Sequence, residues 1–182
     1  VQGNLTLSGA QLTLSGATLE VQGRLTTSGG SITLDESSTL LVMGRSSLSS
    51  TPVTLNGTFT ARDDLLLTSS AVTGKGTLCL RGDLIATSPV TVGTLLVSGL
   101  TRQYLNSSGK VLAEQIVFEN PSRGGVVLHT FLYYTQEAQL NDTAIFGGAT
   151  LKKEAAYNAD IQNTKRDPHP CPLPAALRLR RD

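Results

Sequence analysis

Thr18-Leu19-Glu20-Val21-Gln22-Gly23 is a phrase that this chain repeats. It returns as Thr39-Leu40-Leu41-Val42-Met43-Gly44 and as Thr58-Phe59-Thr60-Ala61-Arg62-Asp63, where aspartate replaces glycine. Two more copies are Thr77-Leu78-Cys79-Leu80-Arg81-Gly82 and Thr94-Leu95-Leu96-Val97-Ser98-Gly99, and Val1-Gln2-Gly3 reads as the tail of an earlier one. Equivalent threonines lie 21, 19, 19 and 17 residues apart. A period of this size marks a repeat architecture, in which each unit is too small to bury its own apolar face and must stack on its neighbours.

Inside each unit the pattern alternates. Leu5-Thr6-Leu7, Leu12-Thr13-Leu14 and Leu19-Glu20-Val21 are apolar-polar-apolar runs, separated by Ser8-Gly9, Ser15-Gly16 and Gln22-Gly23. Alternation of period two is the mark of a strand with one buried face, and the separators are turn formers. Hairpins would give an antiparallel sandwich, which has no reason to repeat at this step. A three-sided coil of three strands and three corners does, with each strand pairing in parallel with its equivalent one unit later. The sequence therefore predicts an all-β, parallel β-helix (β-solenoid) with coils of roughly 20 residues. Stacking puts Leu19, Leu40, Phe59, Leu78 and Leu95 in one inward column. Val1, Val21, Val42, Ala61, Leu80 and Val97 fall in a second, and Leu12, Ile32, Val53 and Val72 in a third. Alternation turns Cys79 outward between Leu78 and Leu80, so rapid labelling by a thiol reagent is expected.

Three segments are expected. Residues 1–100 form regular coils. Residues 101–164 form irregular coils or a cap, with Leu151 to Ile161 suited to a short amphipathic helix over the open end. Residues 165–182 hold four of the seven prolines and five basic residues, a composition that buries little and reads as a disordered tail. The chain starts inside a repeat, so a fragment of something longer is expected.

Composition narrows the function classes. Charged residues are 16% and aromatics 4%. Between residues 1 and 100 five basic residues face six acidic ones, so the surface is near neutral and has little pull on nucleic acid. No apolar run reaches the ~18–20 residues of a transmembrane helix. Cys79 and Cys171 form no metal-ligand spacing; free thiols or a single long-range disulfide are both open. No cofactor fingerprint is present.

The repeat text VQGNLTLSGAQLTLSGATLEVQGRLTTSGGSITL, over about residues 1–100, resembles the β-helical stalks of filamentous haemagglutinin-type adhesins and autotransporter passengers. The resemblance implies a right-handed parallel β-helix, export to the cell surface or extracellular space, and a role as stalk or adhesive surface. Its partners would be a host-cell or extracellular-matrix receptor or surface carbohydrate, alongside flanking coils of the same parent chain.

Four features compete for chemistry. Arg81-Gly82-Asp83 spells the integrin-recognition tripeptide, yet it fills the same corner slot as Gln2-Gly3-Asn4, Gln22-Gly23-Arg24 and Met43-Gly44-Arg45. The repeat alone accounts for it, while an exposed corner leaves recognition open. Asp35-Glu36 and Asp63-Asp64 are carboxylate pairs of the kind polysaccharide lyases and hydrolases use on parallel β-helices. Neighbours in a strand point to opposite faces, so solvated corner carboxylates are the simpler reading, with a carbohydrate-active β-helix as the alternative function. His129 has no ligand-spaced partner and reads as a packed or surface histidine. The column of single threonines lacks the Thr-x-Thr row of an ice-binding lattice and reads as hydroxyl stacking.

Overall fold

The computed structural model describes residues 1–123, 125–140, 144–146 and 150–154. These form a β-solenoid in which every strand pairing is parallel. Coil 1 comprises strands Leu5–Ser8, Gln11–Leu14 and Thr18–Val21, one on each of three faces. Coils 2 to 4 repeat this plan, with first-face strands at Leu25–Ser28, Ser46–Ser49 and Leu65–Thr68. The first face runs on through Leu84–Ala86, Gln103–Ser107, Val126–His129 and Ala144–Phe146.

The register follows the repeated phrase. Thr18 pairs with Thr39, Thr39 with Thr58, Thr58 with Thr77 and Thr77 with Thr94. Leu40, Phe59, Leu78 and Leu95 stack with no exposed surface, and Val21, Val42, Ala61, Leu80 and Val97 stack beside them. Leu19, in the first coil described, is only partly buried: on one side its column has no neighbour among the described residues. Each fully buried Leu or Val contributes about 1.5–3 kcal/mol, and it does so only between neighbouring coils.

Beyond residue 100 the inward columns continue. Leu95 pairs with Ile116 and Val97 with Phe118, and Val90, Val111, Leu132 and Leu151 prolong the column begun by Leu12. What changes is the corners. Between the second and third faces the corner is residues 35–38 in coil 2, 56–57 in coil 3 and 74–76 in coil 4. In coil 5 it vanishes, and a single strand, Val90–Val97, spans both faces, as do Val111–Phe118 and Phe131–Gln139 after it. This contraction supplies one of the two residues by which the step from Thr77 to Thr94 is shorter than the one before it; the other is lost between the first and second faces, where Leu84 and Val90 stand closer in sequence than their partners Leu65 and Val72.

Two expectations are corrected. The short helix from Leu151 does not form over the described residues: Leu151, Lys152 and Lys153 belong to strand Thr150–Lys153, paired with Leu132, Tyr133 and Tyr134. Leu151 joins an inward column, so the strand extends the core that a helix would only cover. Residues 155–161, Cys171 and the 165–182 tail lie outside the described residues. Cys79 does sit on the outward row between inward Leu78 and Leu80, but it is only 8% exposed. Its rung neighbours Thr60 and Leu96 flank it, and its sulfur lies 3.6 Å from Ser98 Oγ. The thiol is free and shielded without any slip of register.

Candidate binding surface

The third corner, between the third and first faces, holds Arg81-Gly82-Asp83. Its compactness comes from glycine: a Cβ on Gly82 would lie 2.4 Å from the Asp63 carbonyl carbon in the coil below. At Gly82 the corner below packs too closely for a side chain, although the equivalent slot one coil earlier holds Asp63. The residue after this slot supplies a second device. Arg24 N–H donates to Asn4 Oδ1 (2.8 Å), Asp83 N–H to Asp64 Oδ1 (3.1 Å), and Tyr104 N–H to Asp83 Oδ1 (2.8 Å). An Asn or Asp at this position thus ties its coil to the next.

Beneath the corner lies a buried amide pair that the alternation pattern did not reveal. Gln103 Nε2 donates to the carbonyls of Gly82 (2.7 Å) and Leu80 (3.2 Å), while its Oε1 accepts from Gly99 N–H and from Asn120 Nδ2. Asn120 Nδ2 also reaches the Thr101 carbonyl. Gln103 stands in the register slot that Gly82, Asp63 and Gly44 hold in earlier coils, and its side chain fills the space beneath the corner. Sequence offers only one signal for it, a glutamine where alternation calls for an inward residue.

Of the tripeptide, Arg81 is exposed and Asp83 is half-buried, with one carboxylate oxygen committed to Tyr104. Burial pushes the Asp83 carboxyl above its ordinary value; the neighbouring charges of Asp64 and Asp63 push the same way, and the Tyr104 N–H opposes them. Arg45 lies 3.7 Å from Asp64, whereas Arg62 and Arg81 make no ion pair among the described residues. Those two arginines line a shallow cleft of about 260 Å³ with Leu100, 77% exposed, and Thr101. The cleft forms where the three-residue corners 62–64 and 81–83 give way to the longer corner 98–102.

Asp35 sits at the second corner. Its carboxylate accepts from Ser15 Oγ, Gly16 N–H, Ser37 N–H, Ser37 Oγ and Ser38 Oγ. The Ser38 hydroxyl, then Ser15, then Gly16, hold it far below the usual carboxylate range. It fastens coil 2 to coil 1. Asp35 and Asp63-Asp64 occupy different corners and share no site.

The outward row of the first face reads Thr6, Thr26, Ser47, Leu66, Ile85, Asn106, His129. It starts in hydroxyls and ends in larger groups. At that end the Tyr104 and His129 rings lie with planes 6° apart and centroids 6.5 Å apart. Tyr104 is 39% exposed and Ile85 42%. The two rings come from coils 6 and 7, joined by the long corner 119–125, whose length hides their proximity in the sequence.

Among the described residues no three His, Cys, Asp or Glu side chains gather in a metal-binding arrangement, and no helix is long and apolar enough to cross a membrane. Comparison with family models, curated proteins and solved structures returns no match for this chain.

Proposed function

We propose that this chain is a non-catalytic stalk or adhesive surface of an exported protein. It acts at the cell surface or outside the cell and presents its outer rows to a host-cell or extracellular-matrix receptor or to surface carbohydrate. The observation that carries the reading is the employment of its carboxylates. Asp35, Asp64 and Asp83 each accept a main-chain N–H from the adjoining coil, so acids that could serve acid–base chemistry instead hold coils together. They also lie on outward corners, whereas a hydrolase or lyase needs an acid and a base converging on one bound sugar. The resemblance to haemagglutinin-type repeats points the same way.

The test is adhesion. Purified protein immobilised on plastic is expected to retain integrin-bearing cells or matrix-coated beads above an albumin coat, and to release no reducing ends from soluble polysaccharides. Retention no better than albumin, or release of reducing ends, overturns the reading. Equal retention by Asp83→Glu assigns adhesion to a surface other than the Arg81-Gly82-Asp83 corner.

A further inference from the structure

We propose that the aromatic end of the first face is a saccharide platform: Tyr104 and His129 take the apolar face of a neutral sugar ring, and Asp83 and Asn106 bind its hydroxyl rim. The inference rests on the adhesive reading above and names the chemistry that the surface grips.

The rings supply the platform. They are parallel within 6°, and their centroids stand 6.5 Å apart, near the far end of the ~4.5–7 Å range of aromatic pairs. The pair is stacked at that separation, and both side chains are exposed. Each sits on a strand rather than a loop. Tyr104 pairs with Val127 and Asn106 with His129 in a continuous parallel ladder, so backbone hydrogen bonds fix the spacing before any ligand arrives.

The rim groups are in place. Asp83 lies directly below Tyr104 in its row; its Oδ1 holds the Tyr104 N–H, and among the described residues its Oδ2 has no partner. The Asn106 amide has none either, and it sits between Ile85 and His129 on adjacent rungs. A carboxylate oxygen accepts, and an amide both donates and accepts, which is the set that neighbouring sugar hydroxyls require.

Size and charge select the ligand. The apolar patch is the two rings and Ile85, with half-buried Leu66 and Val127 at its edge, and beyond Leu66 the row turns to the hydroxyls Ser47, Thr26 and Thr6. A stable protein interface needs about 800 Å² on each partner, with an apolar core. A pyranose needs only one apolar face and a few polar groups at its edge. The carboxylate at the rim opposes uronate, sulfate or phosphate, which leaves neutral sugars.

The experiment is native affinity electrophoresis of the full chain through four gels, containing galactomannan, xylan, β-1,3-glucan or amylose, with a heparin gel as the charged control. Retardation is expected in at least one, weakening at least tenfold in apparent affinity for His129→Ala and for Tyr104→Ala. Thr26→Ala, on the same face in coil 2, should migrate as the parent does. Circular dichroism establishes that each variant is folded; should Tyr104→Ala fail to fold, His129→Ala decides. No retardation in any of the four gels, retardation unchanged in the alanine variants, or retardation by heparin alone overturns the platform. Cell retention that persists without retardation overturns the platform and leaves the adhesive reading standing; loss of both overturns both.

Discussion

Coils 1 to 4 and coils 5 to 7 share an interior and differ in everything outside it. In the first group each coil has three strands, compact corners and, on the first face, an outward row led by Thr6, Thr26 and Ser47. In the second, two strands have fused, the third corner has grown from 81–83 to 98–102 and 119–125, and the outward row carries Ile85, Asn106 and His129. The columns from Leu40 to Ile116 and from Val42 to Phe118 cross this change without interruption. The interior sets the stacking, and the corners and outward rows vary on top of it.

The first way to break the comparison is to charge the shared interior. Leu78→Asp places a carboxylate in a column with no exposed surface and no partner, and the expected loss exceeds about 4 kcal/mol. Thermal unfolding followed by circular dichroism should show the coils lost; an unchanged midpoint would contradict the column. Next comes corner packing. Gly82→Ala must push a Cβ into the Asp63 backbone and should cost about 1–3 kcal/mol, while Gly3→Ala, with nothing within 4 Å, should cost little. Equal midpoints for the two variants would remove the packing account.

A gain is expected at Ser46. It occupies the inward slot held by Leu25 and Leu65 in the adjoining coils, and its buried hydroxyl has no hydrogen-bond partner. Ser46→Ala should stabilise by about 1 kcal/mol in denaturant titration, because it removes a desolvated hydroxyl that gains nothing. Thr27, also inward, is different: its hydroxyl bonds Thr51 Oγ1 at 2.9 Å, so Thr27→Ala should destabilise.

The smallest effects separate the two groups by pH. Asp35 titrates below its ordinary value, so its contribution is complete above about pH 3.9 and is lost as pH falls from there toward its folded value. Asp83 titrates above its ordinary value, so its contribution is complete below about pH 3.9 and is lost as pH rises through its folded value. Asp35→Asn should therefore lower the melting temperature at pH 7, with the deficit shrinking in acid. Asp83→Asn keeps an oxygen for Tyr104 N–H, as Asn4 does for Arg24, and should raise it by roughly 1–2 °C at pH 7, with the gain vanishing in acid. The reverse order in the two melting series would refute these assignments.

How much of this was legible divides along the same line. The threonine spacing carried the stacking register, because a column of like residues can form only when each coil lies on its equivalent. The contraction at Gly93 was present within a 17-residue step, but the step alone does not say which corners shortened. The bonds of Gln103 and Asn120 were not legible, since apart from the one they share they run to main-chain groups that no side-chain pattern records. The shielding of Cys79 was missed for a related reason: alternation assigns a side chain to a face, but the bulk of Leu96 beside it decides whether solvent arrives. The Tyr104–His129 pair needed the length of one irregular corner, a quantity set by packing.

Parallel pairing at a fixed rise makes the exterior a ruler with discrete marks. Two groups in the same outward row can be separated only by whole rungs of about 4.8 Å each. Gaining or losing one complete coil would shift every mark beyond it by a single division and leave the marks on either side undistorted. Reach along the axis can thus lengthen or shorten by steps while the local fit of any one patch, such as that around Tyr104, stays as it was.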